Sequence, residues 1–221
     1  MKRRTLHRTS ATVLVVFACM HIANHLASLS SIALHIDFMA RAREIYRQPI
    51  VEALILSCVV MQIASGLWLV LRDWSQRKGL LPWLQAISGG YLAMFLLVHV
   101  GAVIVGRTVL NLDTNFYFAA AGINVQPFQF FFAPYYFLAV LALFAHLGCA
   151  AFWMFQSSSL TVRRMLIVVP TLIGGIISLL IVLSLAGLIH PFEVPEKYKS
   201  TYREGERAKV GANQAKQLER Q

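Results

Sequence analysis

The sequence predicts an all-α polytopic membrane protein, a bundle of five transmembrane helices. Three observations carry this. Charged residues make up 14% of the chain and hydrophobic residues 57%, with a mean hydropathy of +0.62. A soluble domain carries about 25% charged residues, so this chain has too few to cover a water-facing surface. Five apolar runs of about twenty residues or more follow one another, at 10–34, 50–71, 82–106, 132–156 and 165–190. A helix of that length crosses a hydrocarbon layer of about 30 Å, where the backbone must satisfy its own hydrogen bonds. Finally, none of the runs alternates apolar and polar residues with a period of two, which argues against a barrel.

The elements follow in order. The start, Met1 to Arg8, followed by Ala11–Met20, imitates a signal peptide, but the apolar run continues towards Leu34 without a small-residue cleavage pattern. A retained first helix is expected. The loop from His35 to Pro49 is mixed and carries Arg41, Arg43 and Glu44. The loop from Arg107 to Phe131 is aromatic, which suits a segment in the membrane interface. Pro170 and Gly174–Gly175 in the fifth run predict a kink or a close helix contact. The tail, 191–221, is polar and of mixed charge and is expected to be an arm without its own core.

Charge sets the orientation. With the N-terminus cytoplasmic, the inner side holds Lys2, Arg3, Arg4, Arg8, Arg72, Arg77, Lys78, Arg163 and Arg164; the outer short loops hold Arg41, Arg43, Arg47 and Arg107. Nine against four predicts N-inside and C-outside in the cytoplasmic (inner) membrane. The net charge of +10 sits mostly in loops and tail and does not indicate nucleic acid. Cys19, Cys58 and Cys149 lie inside apolar segments without a CxxC pair, so thiol chemistry is not expected.

The chemistry-bearing residues are histidines. Ser88 and His99 are eleven residues apart on the third run, and Ser10 and His21 repeat that spacing on the first. Eleven helical steps return to within about 20° of the same face, roughly 16 Å further along. Of the seven histidines, His7, His35 and His190 fall near helix ends, where a ring reaches water or headgroups. His21, His25, His99 and His146 lie deep in apolar runs, where ionisable groups are costly and face a bundle interior. Three readings stay open for these four: haem b ligation from facing helices, a metal site using His21 and His25 at i, i+4, or interhelical hydrogen bonds. The apolar runs offer almost no carboxylate beside Glu52, which weighs against a hydrolytic metal. For depth, either His21 or His25 matches His99.

Several motifs together resemble the five-helix cytochrome b subunit that anchors succinate dehydrogenases and fumarate reductases. Leu84-Gln85, Ser88-Gly89 and His99-Val100 have the order and spacing of that family's third helix. Leu6-His7-Arg8-Thr9-Ser10 resembles the entry to its first helix, with Ala11 in place of a glycine. His21 to His25 is similar to the histidine-rich end of that helix in Gram-positive members, and His146 matches a ligand position on the fourth. The resemblance covers roughly residues 6–190. It implies haem b held by His21 (or His25) and His99 as axial iron ligands, with Ser88 and Gly89 at the site. It implies a second haem between the second and fourth helices, where His146 fits. The second run has no histidine, only Gln62 and Ser65, so one conventional bis-histidine haem is expected. The resemblance further implies iron–sulfur and flavoprotein partner subunits and membrane quinone. His7 and Arg8 become candidates for contacts to quinone or haem propionate. No flavin or dinucleotide fingerprint occurs in the chain, so the dehydrogenase chemistry itself falls to those partners.

Overall fold

The computed structural model describes residues 2–72 and 74–203. Seven α-helices follow in order: α1 (Lys2–Ala27), α2 (Ile32–Tyr46), α3 (Pro49–Arg72), α4 (Leu80–Thr108), α5 (Phe116–Asn124), α6 (Gln129–Met154) and α7 (Leu160–Leu185). No strand occurs among the described residues. α1, α3, α4, α6 and α7 are long and apolar enough to cross a membrane, and their large apolar side chains, Val16, Leu97 and Leu172 among them, face outward. This inversion suits hydrocarbon, where outward apolar surface has no water to avoid.

The first apolar run is not one helix to Leu34. It stops at Ala27 and turns through Ser28–Ser31 into α2. Serine hydroxyls explain the break, because they offer the backbone a local alternative to the helical ladder. Ser28 Oγ donates to the His25 carbonyl at 2.5 Å, and Ser31 Oγ caps α2 by accepting from Leu34 N–H at 3.0 Å. α2 then folds back along α1: His35 meets His25, and Tyr46 meets Phe17.

α6 and α7 form the tightest pair. A methyl on Gly148 would lie 2.8 Å from the Leu166 carbonyl oxygen, and one on Gly174 would lie 2.5 Å from Phe144 Cβ. Glycine is what lets these backbones approach. Ser178 Oγ donates across the seam to the Phe137 carbonyl at 2.5 Å. α7 runs on through Pro170, so the Gly174 position is a close contact, as one of the two sequence alternatives has it.

One end of the bundle carries a cap. The aromatic loop folds into α5, whose Phe116 and Ala120 are fully buried against Ile181 and Leu185 of α7. Val194 and Tyr198 complete that core. The first part of the tail is therefore packed into the bundle: Tyr198 is 1% exposed. Three apolar anchors, Phe192, Val194 and Tyr198, do this within a segment whose average composition is polar. Residues 204–221, the rest of the tail, lie outside the described residues. We call the capped end the outer end and the opposite one the inner end.

Candidate functional site: a histidine-lined cavity

α1, α2, α3, α4 and α6 line a cavity of about 1470 Å³ that extends from Arg4 and Arg8 at the inner end to Arg47 and Arg107 at the outer end. Six of the seven histidines line it, in two groups.

The outer group joins α1, α2 and α4. The His21 and His99 rings approach to 6.1 Å between centres, at 66°. His25 sits 4.8 Å from His21, and His35 sits 5.2 Å from His25. Phe17 stacks on His21 and Phe95 on His99, at 5.8 and 4.9 Å. These aromatic faces hold the two rings in place without using their nitrogens. Neither the His21 nor the His99 ring makes a hydrogen bond among the described residues. His25 Nδ1, His35 Nδ1 and Asn24 Oδ1 are buried and also without a partner. Asn24 Nδ2 lies 3.3 Å from His35 Nε2; the amide donates, which leaves the His35 proton on Nδ1. Burial first, then the neighbouring His21 and the Arg43 guanidinium, push the His35 pKa down to about 4. His35 belongs here, 2% exposed, and is not the interfacial ring expected from its place near a helix end. The fold-back of α2 brings it in, and no local spacing announces that.

The inner group joins α1, α3, α4 and α6. His7 Nδ1 lies 2.9 Å from Ser65 Oγ, and its Nε2 lies 3.2 Å from Gln62 Nε2. Gln62 donates to Nε2, so Nδ1–H donates to Ser65. Ser65 in turn donates to the Met61 carbonyl, and Ser10 Oγ donates to Gln62 Oε1 at 2.8 Å. His146 Nδ1–H donates to the Gln85 carbonyl at 3.1 Å, with Ser88 Oγ at 3.2 Å. A carbonyl on Nδ1 fixes the tautomer and leaves the Nε2 lone pair free. Gly89 lies directly beneath this ring: a methyl there would sit 2.8 Å from His146 Cε1. Ser88 and Gly89 thus seat His146, and Gln85 Oε1 also accepts from Trp153 at 2.9 Å.

The repeated serine-to-histidine spacing now has a structural meaning. Each serine belongs to the inner group and each histidine to the outer group, on helices that line the same cavity. Arg8 is exposed on the cavity wall. His190 lies outside both groups, with Nε2 2.8 Å from the Leu29 carbonyl. Sequence reasoning missed Asn24 and Arg47 as site residues, each one polar residue in an apolar or loop setting; Gln85 was part of the third-helix motif, but its contact with His146 was not foreseen. Among the described residues, no three His, Cys, Asp or Glu side chains converge as ligands of one metal ion.

Fold and site together define a five-span helical membrane protein built around a histidine-lined cavity. No known protein family, curated protein or solved structure matches the chain.

Proposed function

We propose that this chain is a cytochrome b-like membrane-anchor subunit. It binds haem b through His21 and His99, with the N-terminus cytoplasmic. It passes electrons between a cytoplasmic flavoprotein and iron–sulfur dehydrogenase module, of the succinate dehydrogenase or fumarate reductase type, and membrane quinone. One observation carries the reading: two imidazoles from facing helices meet at 6.1 Å in a large apolar cavity, and their ring nitrogens are uncommitted. His21 and His99 would hold the iron of such a group. It is the His21 ring that approaches His99, so His21 is favoured as the α1 ligand.

The chain's own contribution is placement. Phe17 and Phe95 orient the ligand rings by stacking, and apolar side chains such as Leu92 and Leu96 line the cavity with them. When bound, haem supplies one-electron transfer, which no side chain here can perform. His146, held through Nδ1 with Nε2 free, has the arrangement of a second ligand. His7, also on the inner cavity wall, has both nitrogens committed, so the expected stoichiometry is one haem per chain.

The test is a reduced-minus-oxidised spectrum and a haem count on protein expressed with haem supplied. One haem per chain with a b-type spectrum supports the proposal. A colourless protein overturns it. It would favour a second reading, a haem-poor scaffold or assembly subunit, for which the observation is that α3 presents Gln62 and Ser65 to the cavity end and no histidine.

A further inference from the structure

At the outer end of the cavity three guanidiniums meet two carboxylates. Arg107 Nη1 donates to Glu52 Oε1 at 2.5 Å, and Arg43 Nη1 donates to Asp113 Oδ1 at 2.7 Å. Arg47, the residue that closes α2, has no carboxylate partner among the described residues. Its Nη2 donates to Thr114 Oγ1 at 3.3 Å, and its Nε–H is buried with no partner. Arg47, Glu52, Arg107 and Thr114 all line the cavity. The local tally at this end is one positive charge in excess; Arg4, Arg8, Arg77 and Lys78 line the cavity's other end. Burial, then the neighbouring Arg43 and Arg107, work against the Arg47 charge, and Tyr46 and Asp113 offset them only in part. An anion supplied from the cavity would relieve them. The site is also tied to the histidine pair: Tyr46, next to Arg47, packs edge-on against Phe17 at 5.4 Å, and Phe17 stacks on His21.

The geometry points to Arg47 as the receptor for a carboxylate carried by the cavity's occupant, namely a propionate of the haem held by His21 and His99. The assignment rests on the haem reading above. A guanidinium suits the task because its planar donors match a carboxylate and it stays charged when partly buried. Arg47 is a positioning residue: it fixes which way the macrocycle lies in the cavity, while the histidines bind the iron. An anionic lipid could bring the same charge on a phosphate, and the experiment separates the two.

Full-length chain prepared without haem is titrated with haem b and with its dimethyl ester, in which both propionates are blocked. Arg47→Gln is expected to weaken haem b binding roughly tenfold to a hundredfold and to lower the midpoint potential, because a nearby positive charge is lost. The dimethyl ester is expected to bind wild type and Arg47→Gln alike, and Arg47→Lys, with charge but no fork, falls between. Equal haem b affinity in wild type and Arg47→Gln overturns the assignment, as does an equal loss for the diester. Loss of co-purified anionic lipid from Arg47→Gln with haem affinity unchanged also overturns it, in favour of a phosphate. A wild-type chain that takes up no haem sinks the haem reading itself, and that result differs from uptake indifferent to Arg47.

Discussion

The two histidine groups are built from the same side chain and lie in one cavity, yet they differ in what their nitrogens do. In the inner group, Ser65, Gln62 and the Gln85 carbonyl occupy three ring nitrogens of His7 and His146. In the outer group, the rings touch one another and three phenylalanines, and the nitrogens of His21 and His99 are left over. Buried polar atoms are normally satisfied, since an unmet donor or acceptor costs about 1–3 kcal/mol. Committed imidazoles explain themselves as interhelical ties. The uncommitted nitrogens of His21 and His99 face the cavity, where an occupant can meet them. The contrast favours the outer group as the place of the proposed iron; in the inner group His146 Nε2 alone is left over.

The largest effect that would break this contrast is total loss of the cofactor. His99→Ala removes one of the two uncommitted rings, and the b-type spectrum is expected to vanish. The same substitution at His146 is expected to leave the spectrum in place. If instead His146→Ala bleaches the protein and His99→Ala does not, the roles of the two groups are reversed.

Next in size is a pH effect at His35 in the outer group. His35 is neutral in the folded chain down to about pH 4, while an unfolded histidine takes its proton near 6.5. Between those values the unfolded state holds more protons, so stability falls as pH falls through that window. The full span is worth at most roughly 3 kcal/mol. Thermal or denaturant melts in detergent between pH 7 and pH 4 check this, with His35→Asn expected to flatten the slope. A slope unchanged in His35→Asn would place the titration elsewhere.

Gly89→Ala probes the inner group. The added methyl would press on the His146 ring, which two hydrogen bonds hold in place. Overpacking of this kind costs about 1–3 kcal/mol, read as a lower melting temperature. The haem count is expected to stay at one, because Gly89 touches nothing in the outer group. Loss of haem from this variant would join the two groups into a single site.

The sequence made the spans legible, because hydropathy over twenty residues is a sum that single positions cannot upset. The deep histidines His21, His25, His99 and His146 were legible for a related reason: a polar ring in an apolar run is conspicuous. What stayed hidden depended on the chain doubling back. His35 reads as a loop-end histidine until the turn at Ser28–Ser31 lays α2 against α1. Ser88-Gly89 reads as part of the His99 face, because both lie on one helix; only the approach of α6 shows that the pair seats His146. Val194 and Tyr198 were hidden by averaging, as two anchors do not change the composition of a polar tail.

The smallest effect tests whether an uncommitted atom always signals a ligand. Tyr198 is buried in the cap, and its hydroxyl has no partner among the described residues. Yet it packs among Tyr117, Phe116 and Val194, away from the cavity lining. If its oxygen is an unmet polar atom and nothing more, Tyr198→Phe removes a desolvation cost and keeps the packing, so stability is unchanged or rises by up to about 1 kcal/mol. Tyr198→Ala, which removes the ring, is expected to cost about 3 kcal/mol by cavity formation. A clear loss in Tyr198→Phe would mean that the hydroxyl does have a partner, such as an ordered water. The same explanation would then have to be weighed for His25 and His35 Nδ1, whose missing partners form part of the contrast between the two ends.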